Sequence, residues 1–451
     1  MASFEATATI SDSIGNLLFF TNGISIWDRN GIIMPHGDSL DIAQQQDEPY
    51  YGSSVTQGVI ILPVPNSSCK YYVIYLTEVI DFYIELSLMY SMVDMTLNSG
   101  NGDVILGQKN VPITESGKYM WEKMTAVKHG NGKDWWFITI SEKTASSDSC
   151  YFEKLVISET GISPPQFQPY DTVDVTGLAL ETAFCGLGQM KFSLSGKKLA
   201  VTRGSFIDVY DFDRCDGMLS NRIIVDSVNF ENYGLEFSPD ETKLYAASGV
   251  QTPVKPKLIQ ICLDCNVIIK TTLYMHASNY YFSQLQIAPD GKIYLGFAEE
   301  GFIDDNAHYL SVINYPDSFG TACDFELASF MLGDSAHMSY GLPNFVNYDL
   351  AALATPCDTA DTTDIAEEII NKNEIVVFPN PAGNYITITS HFNQYTNTKA
   401  EMYNIAGVKV KEIEIQSSSQ QINIKSLPAG IYSIIIKQNA AVMYNESLVK
   451  E

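Results

Sequence analysis

Residues 190–201 read MKFSLSGKKLAV, residues 235–247 LEFSPDETKLYAA and residues 285–297 LQIAPDGKIYLGF. One pattern runs through all three: an apolar strand, a Ser/Ala-Pro/Leu-Asp/Ser turn, a lysine and a second strand. Phe192, Phe237 and Ile287 hold equivalent places, 45 and 50 residues apart. Strand units recurring at that interval match the four-stranded blade of a β-propeller. Each copy is followed by a further strand-like run, as in FIDVYDFD (206–213), KLIQICL (257–263) and YLSVINY (309–315).

Working toward the N-terminus, less regular units fit near 13–50, 55–110 and 118–160. NLLFF and ISIWD flank Thr21-Asn22-Gly23, and Asn-Gly between apolar strands is a strong hairpin signal. HGNGKD separates Met120–Val127 from Trp135–Ile140 in the same way. SYGLPNFVNYDL, from Ser339, reads as the strand that ends the array. Six units are recognisable. Within a range of six to eight blades, seven are expected, because a closed ring usually borrows a strand from each terminus. A single blade cannot bury both faces, so the ring must close.

Toward the C-terminus, residues 351–373 (AALATPCDTADTTDIAEEIINKN) are rich in Thr, Asp, Glu and Ala and lack periodic apolar positions. They read as a flexible acidic linker, with a short helix at Asp364–Asn371 as an option. A second domain spans 374–451. Its first apolar run, Ile375–Phe378, is stopped by Pro379-Asn380-Pro381, since proline has no N–H to donate. Tyr385–Thr389 then alternates with period two. Similar runs follow, and Gly407 falls between two of them. Six or seven short strands in 78 residues suggest a small β-sandwich. The expected fold is therefore all-β: a propeller over 1–350, the linker, and a sandwich over 374–451.

The residues of this last segment carry a resemblance. PNP after an apolar strand, the YNIAGVKV run, LPAGIY with Gly430 and Tyr432, and Lys450 near the end resemble the C-terminal sorting domain of Bacteroidetes type IX secretion substrates (type A, Por secretion tail). The resemblance implies an immunoglobulin-like sandwich that engages the type IX machinery through 374–451. It also implies export through the periplasm to the outer-membrane surface or beyond. The body is similar to the WD-like β-propeller of Bacteroidetes surface proteins, through GNLLFFTNGISIWDRNG, IMPHGDSL, HGNGKDWWFIT, VYDFDRCDG and GLPNF. That likeness brings a fold and a compartment but no activity. Substrates of this kind first cross the inner membrane, and MASFEATATISDS has neither a basic start nor an apolar segment. A truncated N-terminus is the expectation.

The chain has 451 residues and a formal net charge of −26. Residues 374–451 carry six acids against six lysines, so the whole excess lies in 1–373. So acidic a body repels phosphate backbones, which argues against nucleic-acid binding. No apolar run reaches the length of a membrane span.

Catalytic signatures are missing: there is no GxSxG, Walker loop, HExxH or GxGxxG. The histidines (36, 129, 276, 308, 337 and 391) share no metal-ligand spacing; His36 and His337 are placed at blade edges in structural roles. Asp211, Asp213 and Asp216, in DFDRCDG, are a weak calcium candidate without a bidentate glutamate at the twelfth loop position. Otherwise no cofactor is expected. Cys262-Leu-Asp-Cys265 has redox or half-zinc spacing but no second CxxC, so structural cysteines are the simpler reading. The eight cysteines permit 105 pairings and none is assigned. Aromatic pairs such as Tyr71-Tyr72 and Trp135-Trp136 suit glycan or protein recognition, but core packing is the stronger reading. Two functions stay open: a non-enzymatic module binding glycan or protein, which the missing motifs favour, and a polysaccharide hydrolase or lyase using paired acids in the central channel.

Overall fold

The computed structural model describes residues 5–40, 53–79, 85–113, 119–142, 150–170, 187–203, 206–227, 232–248, 256–276, 280–299, 308–333, 336, 340–357, 375–390, 395, 397–404, 408–438 and 441–450. The chain divides into two compact units, Met1–Asp358 and Thr359–Glu451. It is all-β, built of small antiparallel sheets.

The described residues of the first unit form six sheets, each contiguous in sequence. The first holds β1 (Ala8–Ser11), β2 (Leu17–Thr21) and β3 (Ile26–Asp28). The second holds β4 (Val59–Pro63), β5 (Lys70–Val79), β6 (Glu85–Asp94), β7 (Asp103–Val104) and β8 (Val111–Pro112). The third holds β9 (Tyr119–Lys128), β10 (Trp135–Glu142), β11 (Cys150–Ser158), β12 (Gly161–Ile162) and β13 (Gln166–Pro169). The repeats supply the other three: β14 (Met190–Phe192) to β17 (Leu219–Ser227) through β15 (Lys198–Arg203) and β16 (Phe206–Phe212); β18 (Asn232–Phe237) to β21 (Ile269–Met275) through β19 (Lys243–Ser248) and β20 (Lys257–Cys262); and β22 (Tyr280–Ile287) to β25 (Phe325–Met331) through β23 (Ile293–Glu299) and β24 (Tyr309–Ile313). Seven blades were expected; six sheets are present among the described residues.

The repeat explains the local geometry. Its turn needs a left-handed residue at the seventh position, which glycine adopts without strain. Gly196 (φ +70°) and Gly291 (φ +78°) serve in two copies, and Glu241 (φ +59°) in the third. Glu241 is held there by its carboxylate, whose Oε2 accepts the Ser195 hydroxyl at 2.8 Å and whose Oε1 accepts the Ser195 amide. One repeat's turn is thus capped by the strained residue of the next.

Apolar cores lie between consecutive sheets. The aromatic pairs show why: successive strand residues point to opposite faces. Trp135 packs in the core shared with the second sheet, Trp136 in the core shared with the fourth. Tyr71 and Tyr72 divide in the same manner. Both members of each pair are therefore buried. The first strands β1, β4, β9, β14, β18 and β22 neighbour one another in chain order.

Two expectations are corrected. SYGLPNFVNYDL is not a strand in its described part: residues 341–347 have no regular structure. They form a strap instead. Asn344 N donates to Thr7 O at 2.9 Å, and its side chain donates to Val59 O and Met124 O. Leu342 N donates to Gln284 Oε1 at 2.9 Å, and Leu342 packs on Leu310. Gly341 runs so close to the Glu5 backbone that a Cβ would collide with it. Among the described residues, first and last sheets are thus joined by side chains and amides rather than by a borrowed strand.

The linker also does not begin at residue 351. Arg214 donates to Ala351 O at 2.7 Å, Leu353 N to Gly130 O at 2.8 Å, and Cys357 is disulfide-bonded to Cys215. Residues 351–357 belong to the body; the possible helix at 364–371 lies outside the described residues.

The described residues of the second unit form two sheets. One orders β26 (Ile375–Phe378), β27 (Tyr385–Ser390) and β30 (Ser419–Asn423); the other orders β29 (Lys409–Glu414), β28 (Thr398–Asn404), β31 (Gly430–Gln438) and β32 (Ala441–Lys450). Alternate residues of both sheets, among them Ile386, Ile388, Met402, Ile422, Ile434 and Ile436, meet in one core. No described helix is long and apolar enough to cross a membrane.

Candidate functional site

In the second unit the proline-rich turn is not a loose loop. It leaves β26 at Phe378 and runs along the end of β32. Ala382 pairs in parallel with Lys450, and Ala382 N donates to Val449 O at 2.7 Å. The Asn380 side chain closes the junction by accepting the Val449 amide at 2.9 Å. The peptide bonds preceding Pro379 and Pro381 are both cis. Across the sheet, Gly430 is the register partner of Lys450 and Tyr432 that of Leu448. Tyr432 is buried in the core, with its hydroxyl donating to Pro428 O at 2.8 Å. So Pro379, Asn380, Pro381, Gly430 and Lys450 converge at one end of the module, and Tyr432 supports them from within. Gly407 lies outside the described residues.

Four exposed apolar side chains surround this end: Phe378 and Tyr385 on one sheet, Ile431 and Val449 on the other. Elsewhere the second sheet carries an ionic cluster. Glu401 accepts from Lys437 at 2.8 Å, Tyr403 at 2.8 Å and Lys409 at 3.1 Å. These bonds, that from Lys437 foremost, lower its pKa from the ordinary 4.5 to about 2.

In the first unit the inner strands meet through polar side chains. Gln189 accepts the amides of Leu235 and Leu285 at 2.9 and 2.8 Å. Gln57 accepts the Met190 amide and donates to Met190 O and Asn344. Gln284 donates to Thr56 O. Two residues further along the repeat, Lys191, Glu236 and Gln286 share one register position. Lys191 Nζ donates to Gln286 Oε1 at 2.6 Å and lies 3.4 Å from Glu236 Oε2. Glu236 also accepts the amides of Phe237 and Ile287. Burial pushes its pKa up, opposed by Lys191 and these amides. Glu5 and Glu122 are also drawn in: Tyr233 donates to Glu5 at 3.0 Å and Thr56 to Glu122 at 3.0 Å. Burial holds the Tyr233 hydroxyl firmly protonated. Sequence reading missed this hub because its members are isolated polar residues that only the repeat register brings together.

The calcium candidates do not converge. Asp211 pairs with Lys198 at 2.8 Å and Asn221 at 2.9 Å, which lowers its pKa. Asp213 and Asp216 each accept a local amide, from Cys215 and Met218. Asp211 and Asp213 border a 330 Å³ cleft with Lys197, Arg214 and Ser220, so cations already sit beside them. His36 pairs with Asp103 on the outer strand β7, away from the inner strands. His129 is half-buried beside Trp136. His337 and His391 lie outside the described residues. Cys262 and Cys265 form a disulfide, and Cys69 and Cys323 are free thiols.

Residues 376–451 match the secretion system C-terminal sorting domain. This is the sorting tail of type IX secretion, and it indicates export to the cell surface or the extracellular space. No curated protein matches the chain. Among solved structures, a gluconolactonase from Xanthomonas campestris is 14% identical with a TM-score of 0.34, over 65% of this chain and 83% of that one. A putative 6-phosphogluconolactonase from Bacteroides fragilis is 12% identical with a TM-score of 0.35, over 74% and 94%. A GH43 β-1,3-galactosidase is 10% identical with a TM-score of 0.34, over 55% and 87%. Likenesses at this level carry no inference about activity.

Proposed function

We propose that this chain is a Bacteroidetes cell-surface or secreted β-propeller, delivered by an immunoglobulin-like sandwich tail that engages the type IX machinery. Its six sheets are read as six blades, and the body as a non-enzymatic module that binds a glycan or protein. The observation that carries the delivery reading is the match of residues 376–451 to the secretion system C-terminal sorting domain, in a module with its own core. The turn after the tail's first strand and the tail's last strand are hydrogen-bonded into one junction.

For the body, consecutive meander sheets, cores between neighbours and adjacent first strands support a propeller. The hub favours binding over hydrolysis. A hydrolase needs two carboxylates free to act on opposite sides of a bond, whereas Glu236 is committed to Lys191 and two amides, Glu122 to the Thr56 amide and hydroxyl, and Glu5 to the Tyr233 hydroxyl.

Deleting 374–451 in the producing bacterium tests delivery: the body should accumulate in the periplasm, and unchanged surface display refutes the assignment. A glycan array run with reducing-end detection tests the body. Binding without new reducing ends supports the module; their release favours the hydrolase or lyase.

A further inference from the structure

The Cys262–Cys265 disulfide does little as a structural staple. Its partners are three residues apart, and the stabilisation gained by restricting the unfolded chain shrinks with the loop that is closed. Cys215–Cys357, with a separation of 142, is the opposite extreme. The short bridge also lies inside a loop that is already closed, because Cys262 pairs with Ile269 across the β20–β21 hairpin. Strand pairing alone closes that loop.

The hairpin tip holds a third group. Asp264 stands between the two cysteines, with Oδ1 3.1 Å from Cys262 Sγ. A disulfide sulfur has no proton to donate, so this approach gains no hydrogen bond while the bridge is intact. Both sulfurs and an Asp264 oxygen lie within 4.8 Å of one another. Thiolates about 2.3 Å and a carboxylate about 2.1 Å from one tetrahedral ion stand roughly 3.5–3.8 Å apart, so the present spread needs only local adjustment. Cys262 is buried, but Asp264 is exposed, Cys265 half-buried and Val267 70% exposed, so a small reductant and an ion reach the tip from the Cys265 side.

We propose that this tip is a redox-gated site for a thiophilic divalent cation of the Zn²⁺ class. A dithiol reductant delivers two electrons and two protons to the S–S bond and leaves as a disulfide, giving two thiols. The cation then displaces both thiol protons and binds Cys262 Sγ, Cys265 Sγ and the Asp264 carboxylate, with water as fourth ligand. Asp264 supplies the third ligand, and its negative charge favours a bound dication. While the bridge stands, no thiolate is available and the site is closed.

The test uses the full chain, untreated or reduced with a phosphine that is then removed, titrated with Cd²⁺ and read by sulfur-to-metal charge-transfer absorbance. C262S/C265S and D264A proteins run in parallel, so the remaining cysteines contribute equally to every arm. After reduction the unaltered chain should take up one more Cd²⁺ than C262S/C265S; before reduction the two should match. D264A should retain the extra thiolate band but bind at least about tenfold more weakly. If C262S/C265S does not fold, C265S replaces it, since one sulfur cannot reproduce a two-thiolate band. Equal uptake after reduction, extra uptake before it, or unchanged affinity in D264A each overturns the proposal.

Discussion

Asn380 Oδ1 accepts the amide of Val449 at 2.9 Å, tying the turn after the tail's first strand to its last strand, 69 residues on. Asn380→Ala leaves that amide without its partner. The expected loss is about 1–2 kcal/mol of tail stability, read as an earlier tail transition in urea, with the body transition unmoved. An unchanged tail midpoint would show that the parallel pairing of Ala382 with Lys450 holds the junction alone.

Glu401 makes the tail acid-sensitive. Its folded pKa of about 2 lies below the ordinary 4.5. The stabilisation is therefore complete above about pH 4.5 and is lost as the pH falls toward 2. The tail midpoint should drop across that window, and Glu401→Gln should flatten the drop. A Gln variant with the native pH profile would rule this origin out.

Glu241 occupies a left-handed position that the other two repeats give to glycine. Glu241→Ala keeps the strain and loses the bonds to Ser195, while Glu241→Gly loses the bonds but relieves about 1–2 kcal/mol of strain. The Gly variant should be the more stable of the two by about that amount in denaturant unfolding of the body. The reverse order would mean that the turn changes shape when the side chain is removed.

Cys215–Cys357 fastens the end of the strap across a separation of 142 residues. Replacing both cysteines by alanine should cost the body roughly 2–5 kcal/mol and open the segment after Ala351 to proteolysis. Native protease resistance in the double variant would show that Arg214 and Gly130 hold it without the bond.

Much of this architecture was legible in the chain. The equivalence of Phe192, Phe237 and Ile287 gave the spacing of three sheets, because strand periodicity and turn chemistry are local. The hairpin at Asn22-Gly23 and the turn at Pro379–Pro381 were readable for the same reason. What stayed hidden depends on distant parts of the chain. Asn344 belongs to no local pattern, yet it bonds to the first, second and third sheets. The partner of Cys357 was one choice among many. Asp211, Asp213 and Asp216 looked like a ligand set by spacing, but Lys198, Asn221 and local amides had already engaged their oxygens.

Residues 359–451, fused behind a signal peptide and a periplasmic reporter in a bacterium with a working type IX system, test the tail most directly. The reporter should appear on the cell surface or in the medium, and should remain in the periplasm when the tail is omitted. A reporter that stays in the periplasm with the tail attached would contradict the claim that this module alone directs export.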